Sequence, residues 1–184
     1  MKIKTRDMIL VSLFAALMAV GAFVKIPFPI LPITLQPFFC ALAGIILGSR
    51  LGMLSQIVYV ALGLAGAPIF TQGGGITYVL KPSFGFLLGF IAAAYIIGKI
   101  SEILKIINTK NVLISVMAGL LAIYTIGIPY MFLVLKFYIN KPEITFWYVL
   151  STNLPYMVKD LVLYVIIALT AVSTLPVLKK QVFQ

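Results

Sequence analysis

Apolar runs many residues long, broken only by isolated charges, prolines and glycines, constrain this chain more than any other feature of its sequence. Of its 184 residues, 62% are hydrophobic and 10% charged. A globule of this size buries too small a fraction of its area to hide that much apolar surface from water. Lipid must be part of its solvent, and the fold class is an all-α integral membrane protein, a single transmembrane domain over residues 1–184. The balance of 14 basic to 4 acidic residues would point to nucleic acid in a soluble protein. Here the charges punctuate apolar runs and form no basic stripe, so no nucleic-acid partner is expected. There is no histidine, and the single cysteine, Cys40, sits inside an apolar run. No disulfide, no Cys/His metal site and no His-dependent catalytic triad can be built from such a set. Lys2, Lys4 and Arg6 followed by Met8 to Val24 have the order of a signal peptide, but the apolar stretch exceeds the usual h-region of about 7–15 residues. It reads as a retained first helix.

A helix crosses the hydrocarbon core in roughly 20 residues. Interruptions of the apolar runs mark six spans, about 7–24, 35–49, 51–66, 84–104, 112–135 and 155–177. The second and third are short and are separated only by Ser49 and Arg50. Lys and Arg concentrate in cytoplasmic loops. With the N-terminus inside, the cytoplasmic side receives nine basic residues, Lys2, Lys4, Arg6, Arg50, Lys99, Lys105, Lys110, Lys179 and Lys180; the outer side receives four, Lys25, Lys81, Lys136 and Lys141. Both ends are therefore expected in the cytoplasm.

The outer connections are then 25–34, 67–83 and 136–154. The first carries three prolines, which preset an extended backbone without internal hydrogen bonds. The second contains Gly73, Gly74 and Gly75, which permit positive φ and close approach of backbone to a ligand. Tyr78 and Lys81 belong to the same segment. Asp160 stands out because a carboxylate in a membrane helix is costly, about 2.5–3.5 kcal/mol on insertion scales, and usually faces a partner or a cavity. Pro155 suits a first helical turn, which places Asp160 roughly 7–8 Å into the last span. Asn153, Tyr156 and Tyr164 share its helical face. Lys159, about 100° around the helix, is a poor direct partner for it. A structural ion pair of Asp160 with Lys159 or Lys136 is the plain alternative, and a flexible connector is the alternative for the glycines. Gly98-Lys99 lacks the rest of a phosphate-binding loop. Gly127 and Pro129 suggest a kink in the fifth span, where Tyr124 and Tyr130 read more readily as interfacial anchors than as pocket residues. In the first span, Ala15 and Ala19, with Ser12 and Ala22 on the same side, form a small-residue face that lets another helix approach closely. The neighbour is either this chain or a partner.

Gly66-Ala-Pro-Ile-Phe70, Gly73 to Gly75, the stretch from Pro82 to Phe90, and Pro155-Tyr156 with Asp160 together resemble the BioY family, the biotin-binding membrane subunits (S components) of energy-coupling factor transporters. The resemblance covers almost the whole chain, and residues 66 to 90 are its specific part. It implies a six-helix S-component bundle in a prokaryotic cell membrane that captures biotin from outside. It implies no catalytic residue, no metal and no cofactor. Its partners would be a transmembrane coupling subunit, contacted through Ser12, Ala15 and Ala19, and cytoplasmic ATPases. The ligand site would draw on Asp160, Lys159, Asn153, Tyr156, Gly73, Gly74, Gly75, Tyr78 and Lys81, with Asp160 holding the ureido ring. Two departures stand out. Pro82-Ser83-Phe84-Gly85-Phe86 replaces a common Pro-Thr-Gly-Gly-Tyr, and Leu163 stands where many members place a lysine. Capture of another small vitamin, or a small intramembrane enzyme using Asp160 and Lys159, are the competing readings.

Overall fold

A computed structural model of the chain describes residues 4–27, 31–105 and 108–183, with 171–183 as backbone only. Lys2 and the side chains of Lys179 and Lys180 lie outside the described residues. Five helices carry the fold: α1 (Thr5–Phe23), α2 (Gln36–Leu64), α3 (Phe84–Leu104), α4 (Thr109–Leu133) and α5 (Phe146–Phe183). α1, α3, α4 and α5 each contain an unbroken stretch long and apolar enough to cross a membrane.

α2 is not a single rod. Gly48 stands at φ 82°, ψ −178°, a conformation that only glycine reaches cheaply. The Gln36 amide donates to the Tyr59 hydroxyl at 3.0 Å, whereas 23 residues of unbroken helix would hold them roughly 34 Å apart. The limbs 36–47 and 49–64 therefore fold back on each other as a hairpin. The break falls at Gly48 and not at Ser49-Arg50, because backbone conformation, not charge, decides where the chain can reverse. The second limb begins under the Glu102 carboxylate, which accepts from the Ser49 N–H at 2.7 Å and from its hydroxyl at 2.9 Å. A carboxylate on the first N–H groups of a helix satisfies orphan donors and meets the positive end of the helix dipole. Glu102→Ala is expected to cost about 1 kcal/mol, read as a lowered midpoint in denaturation of the detergent-solubilised protein.

α3 packs between α2 and α4, α1 lies on α2, and α5 lies on α4 and part of α2. Small residues make the close crossings possible. A side chain at Gly98 would meet the Ser49 nitrogen at 2.3 Å, and one at Gly89 the Ile123 backbone at 2.9 Å. Ala93, Ala94 and Ile97 of α3 are fully buried between them. This is the packing expected of helices that gain little from hydrophobic exclusion of one another in lipid.

The expected bounds of α3 coincide with the observed ones. α5 departs furthest: it begins at Phe146, not Pro155, because the Thr145 hydroxyl accepts from the Tyr148 N–H at 3.2 Å and caps it. Pro155 is thus inside the helix, and Asp160 lies roughly 20 Å along it. α4 runs through Pro129 and ends in a π turn, Val134–Tyr138. The connection after α1 is not free of internal hydrogen bonds: β1 (Lys25–Ile26) pairs antiparallel with β2 (Ile33–Thr34). The pairing is possible because prolines 27, 29 and 32 fall between the paired residues and remove none of their N–H groups. Ala15, only 4% exposed, is packed inside the chain, with Ala19 against the same core. α1 lies on α2, while on the same small-residue face Ala19 is only half-buried and Ser12 is exposed.

Helix directions put the connections after α1, after α2 and after α4 at one end. The Gly48 turn, the start of α1 and the far end of α5 lie at the other.

Candidate functional site

At the connection end the elements enclose a cavity with an empty volume of about 570 Å³, its open mouth included. α3 supplies Phe86, Leu87 and Phe90; α4 supplies Ile123 and Tyr124; α2 supplies Gln36 and Pro37. α5 contributes Asn153, Tyr156, Lys159 and Asp160, and the connections add Leu31, Pro32, Thr34, Thr71, Tyr78 and Ser83.

Asp160, 3% exposed, is the charged centre. Its Oδ2 accepts from the Tyr124 hydroxyl at 2.7 Å, and its Oδ1 pairs with the Lys159 ammonium. The expectation that Lys159 would be a poor partner is corrected here. The four-carbon stem lets the ammonium swing back across the helix surface, where it also donates to the Thr34 carbonyl at 2.9 Å. Lys136 instead lies over the Phe132 and Phe137 rings. Tyr156 holds the first connection by donating to the Leu31 carbonyl at 2.5 Å and accepting from the Leu31 N–H at 3.1 Å. Tyr164, fully buried, sits a turn deeper and donates to the Pro37 carbonyl at 3.2 Å. Tyr156→Phe should leave both Leu31 backbone groups unpaired and speed hydrogen exchange at the Leu31 amide roughly tenfold.

The glycines act at one remove. Gly73, Gly74, Gly75 and Lys81 are not on the cavity wall. A side chain at Gly74 would come within 2.1 Å of the Ala67 carbonyl; the close approach that glycine permits is of chain to chain. Gly75 N–H reaches the Gly63 carbonyl at 2.7 Å, and Phe70 pairs with Gly73. The Phe70 ring fills the notch at Gly63, where a Cβ would overlap it at 2.1 Å. This folded connection presents Thr71 and Tyr78 to the cavity, their hydroxyls 3.0 Å apart. The Ser83 hydroxyl donates to Tyr78 at 3.1 Å, and Lys25 ties the first connection to the second through the Thr71 carbonyl at 2.7 Å.

The BioY family model matches residues 1–180. The chain belongs to the BioY family. Among relatives, the BioY biotin transporter of Thermotoga maritima is 37% identical over 90% of this chain and 94% of its own length. The putative biotin transporter BioYB of Bacillus subtilis is 38% identical over 92% and 88%. A probable biotin transporter BioY of Lysinibacillus sphaericus reaches 47% over 74% and 69%. In fold, the chain resembles a crystal structure of the S-component for biotin from an ECF-type ABC transporter, with TM-score 0.68 and 22% identity, covering 97% of this chain and 91% of that one. It is accordingly a multi-pass membrane protein with an S-component-like helical fold.

In this BioY-family chain, sequence reasoning missed a set of wall residues. Tyr124, read as an interfacial anchor, is 6% exposed and bonded to Asp160. Tyr130, half-buried and off the cavity wall, bonds through its hydroxyl to the Val79 carbonyl. The spacing Tyr124-x-x-Gly127, on a helix facing Gly85 and Gly89 of α3, carried a signal: small residues mark the face of α4 that turns inward.

Proposed function

We propose that this cavity captures biotin on the extracellular side of a prokaryotic plasma membrane for ATP-driven uptake. Six crossings, counting both limbs of α2, would place both ends of the chain in the cytoplasm, in keeping with the nine-to-four distribution of basic residues. The energy would come from cytoplasmic ATPase subunits acting through a transmembrane coupling subunit. The protein itself would do no chemistry on the ligand.

One observation carries the reading. A buried carboxylate stands in an aromatic and aliphatic wall, with one oxygen held by Tyr124 and the other bearing no hydrogen bond beyond the Lys159 pair. A carboxylate so presented is a strong acceptor for ring N–H groups, and Phe86, Leu87, Phe90 and Ile123 suit an apolar ring and aliphatic chain. Lys159 is the cation on the wall, seated between the Asp160 carboxylate and the Thr34 carbonyl. The named relatives, biotin transporters over most of the same length, support the same ligand.

Calorimetric titration of the purified full chain with biotin tests this. Trp147, 74% exposed and off the cavity wall, is a poor reporter. Saturable binding at or below micromolar biotin is the expected result. Silence with biotin and tight binding of another vitamin would reject it.

A further inference from the structure

Among the described residues, the buried side-chain oxygens Gln56 Oε1 and Asn153 Oδ1 lack a hydrogen-bond partner, and Asp160 Oδ1 has none beyond its ion pair with Lys159. Gln56 is not on the cavity wall, whereas Asn153 and Asp160 both are. Asn153 is 1% exposed. Its amide orientation is fixed by chemistry: Nδ2 donates to the Val149 carbonyl at 2.8 Å and approaches the Met131 sulfur at 3.5 Å. Exchanging N and O would set two carbonyl-type oxygens against each other. The amide oxygen is thus left as an acceptor without a donor, an expensive state for a buried group.

Asn153 and Asp160 are seven residues apart on α5, close to two turns, so they share a face with about 10 Å between their Cα atoms. Two acceptors on the wall of one cavity across that gap match a small flat ring with a donor on each of two edges better than they match a single donor. Tyr124 already occupies Oδ2 of Asp160, which leaves Oδ1, paired with Lys159 alone, as the oxygen for a ligand. Lys159, now at Oδ1, keeps the Thr34 carbonyl when a ligand takes its place.

We propose that Asn153 is a specificity-determining residue: its amide oxygen accepts one ring N–H of the ligand while Asp160 accepts the other, so that the site selects a cyclic urea by both of its N–H edges. The inference rests on the biotin reading and assigns the partner of each nitrogen. Nδ2, held by Val149 and Met131, aims the oxygen and makes no ligand contact.

The test uses the full chain in detergent with biotin and the two analogues carrying a single methyl group on one or the other ureido nitrogen. In the wild type each methylation should weaken binding by roughly tenfold or more, because each removes one donor and strands one acceptor. In Asn153→Leu, biotin itself should bind roughly tenfold more weakly. One analogue should then bind about as well as biotin, while the other keeps its penalty. Unchanged biotin affinity in Asn153→Leu, or both penalties intact there, overturns the proposal. Should that variant fail to yield monodisperse protein, the wild type decides: penalties at both nitrogens uphold the two-acceptor site, and tolerance at either overturns it. Absence of any biotin binding by the wild type would remove the biotin reading itself, which is a distinguishable failure.

Discussion

Asp160→Asn is expected to weaken biotin binding by roughly 10- to 100-fold, the range for losing a hydrogen bond to a charged group, while the protein stays folded. The asparagine keeps the volume and keeps an oxygen for the Tyr124 hydroxyl, now 2.7 Å from Oδ2. With that oxygen retained, the amide nitrogen must take the place of Oδ1. A donor then faces the ligand's donors, and the loss exceeds that of a neutral acceptor. Lys159 loses its ion pair but keeps the Thr34 carbonyl, and its side chain is 24% exposed. An ammonium with access to water costs little when its partner goes, so the melting temperature should move by only a few degrees. Isothermal calorimetry beside a thermal melt separates the two effects. Unchanged affinity would return Asp160 to a purely structural role.

The second large effect is on the fold. Gly98→Leu is expected to lower the melting temperature in detergent by on the order of 10 °C, or to prevent recovery of monodisperse protein. A Cβ at this position would lie 2.3 Å from the Ser49 nitrogen, 2.4 Å from the Gly48 carbonyl carbon and 2.5 Å from the Ser49 Cα. All three are backbone atoms, so no rotamer relieves the clash; α3 must move off the hairpin turn, and the Glu102 contacts to Ser49 break with it. Gly66→Ala is the useful contrast. Nothing stands within 4 Å of a side chain there, but its φ of +110° leaves only backbone strain. That change should cost far less.

How much was legible in the sequence varies by element, for physical reasons. α3 could be delimited because Pro82-Ser83 and Lys105 bracket an unbroken apolar run. The start of α5 could not. Ser151-Thr152-Asn153 ahead of Pro155 has the composition of a loop, yet here these side chains turn back onto helix carbonyls: Thr152 and Asn153 both donate to Val149, at 2.9 and 2.8 Å. Tertiary burial of Val149 and Asn153 overrides the local preference. Of the α5 face expected from helical periodicity, Asn153, Tyr156 and Asp160 line the cavity and Tyr164 does not, while Lys159, expected off that face, does. Thr34, Gln36, Thr71, Ser83 and Phe90 could not be read this way, since they meet only through the packing of separate elements. The glycine run misled because a residue that allows close approach does not say what approaches.

The hairpin at Gly48 has a mechanical consequence. Two antiparallel limbs meet there with no intervening loop, and the joint is seated on Gly98 and clasped by Glu102. Such a joint leaves little room for either limb to shift without disturbing the other and α3. The longer connections all lie at the cavity end. The base is therefore closed by direct helix-to-helix seating, whereas the rim is closed by hydrogen bonds between connections, such as Lys25 to Thr71 and Tyr156 to Leu31.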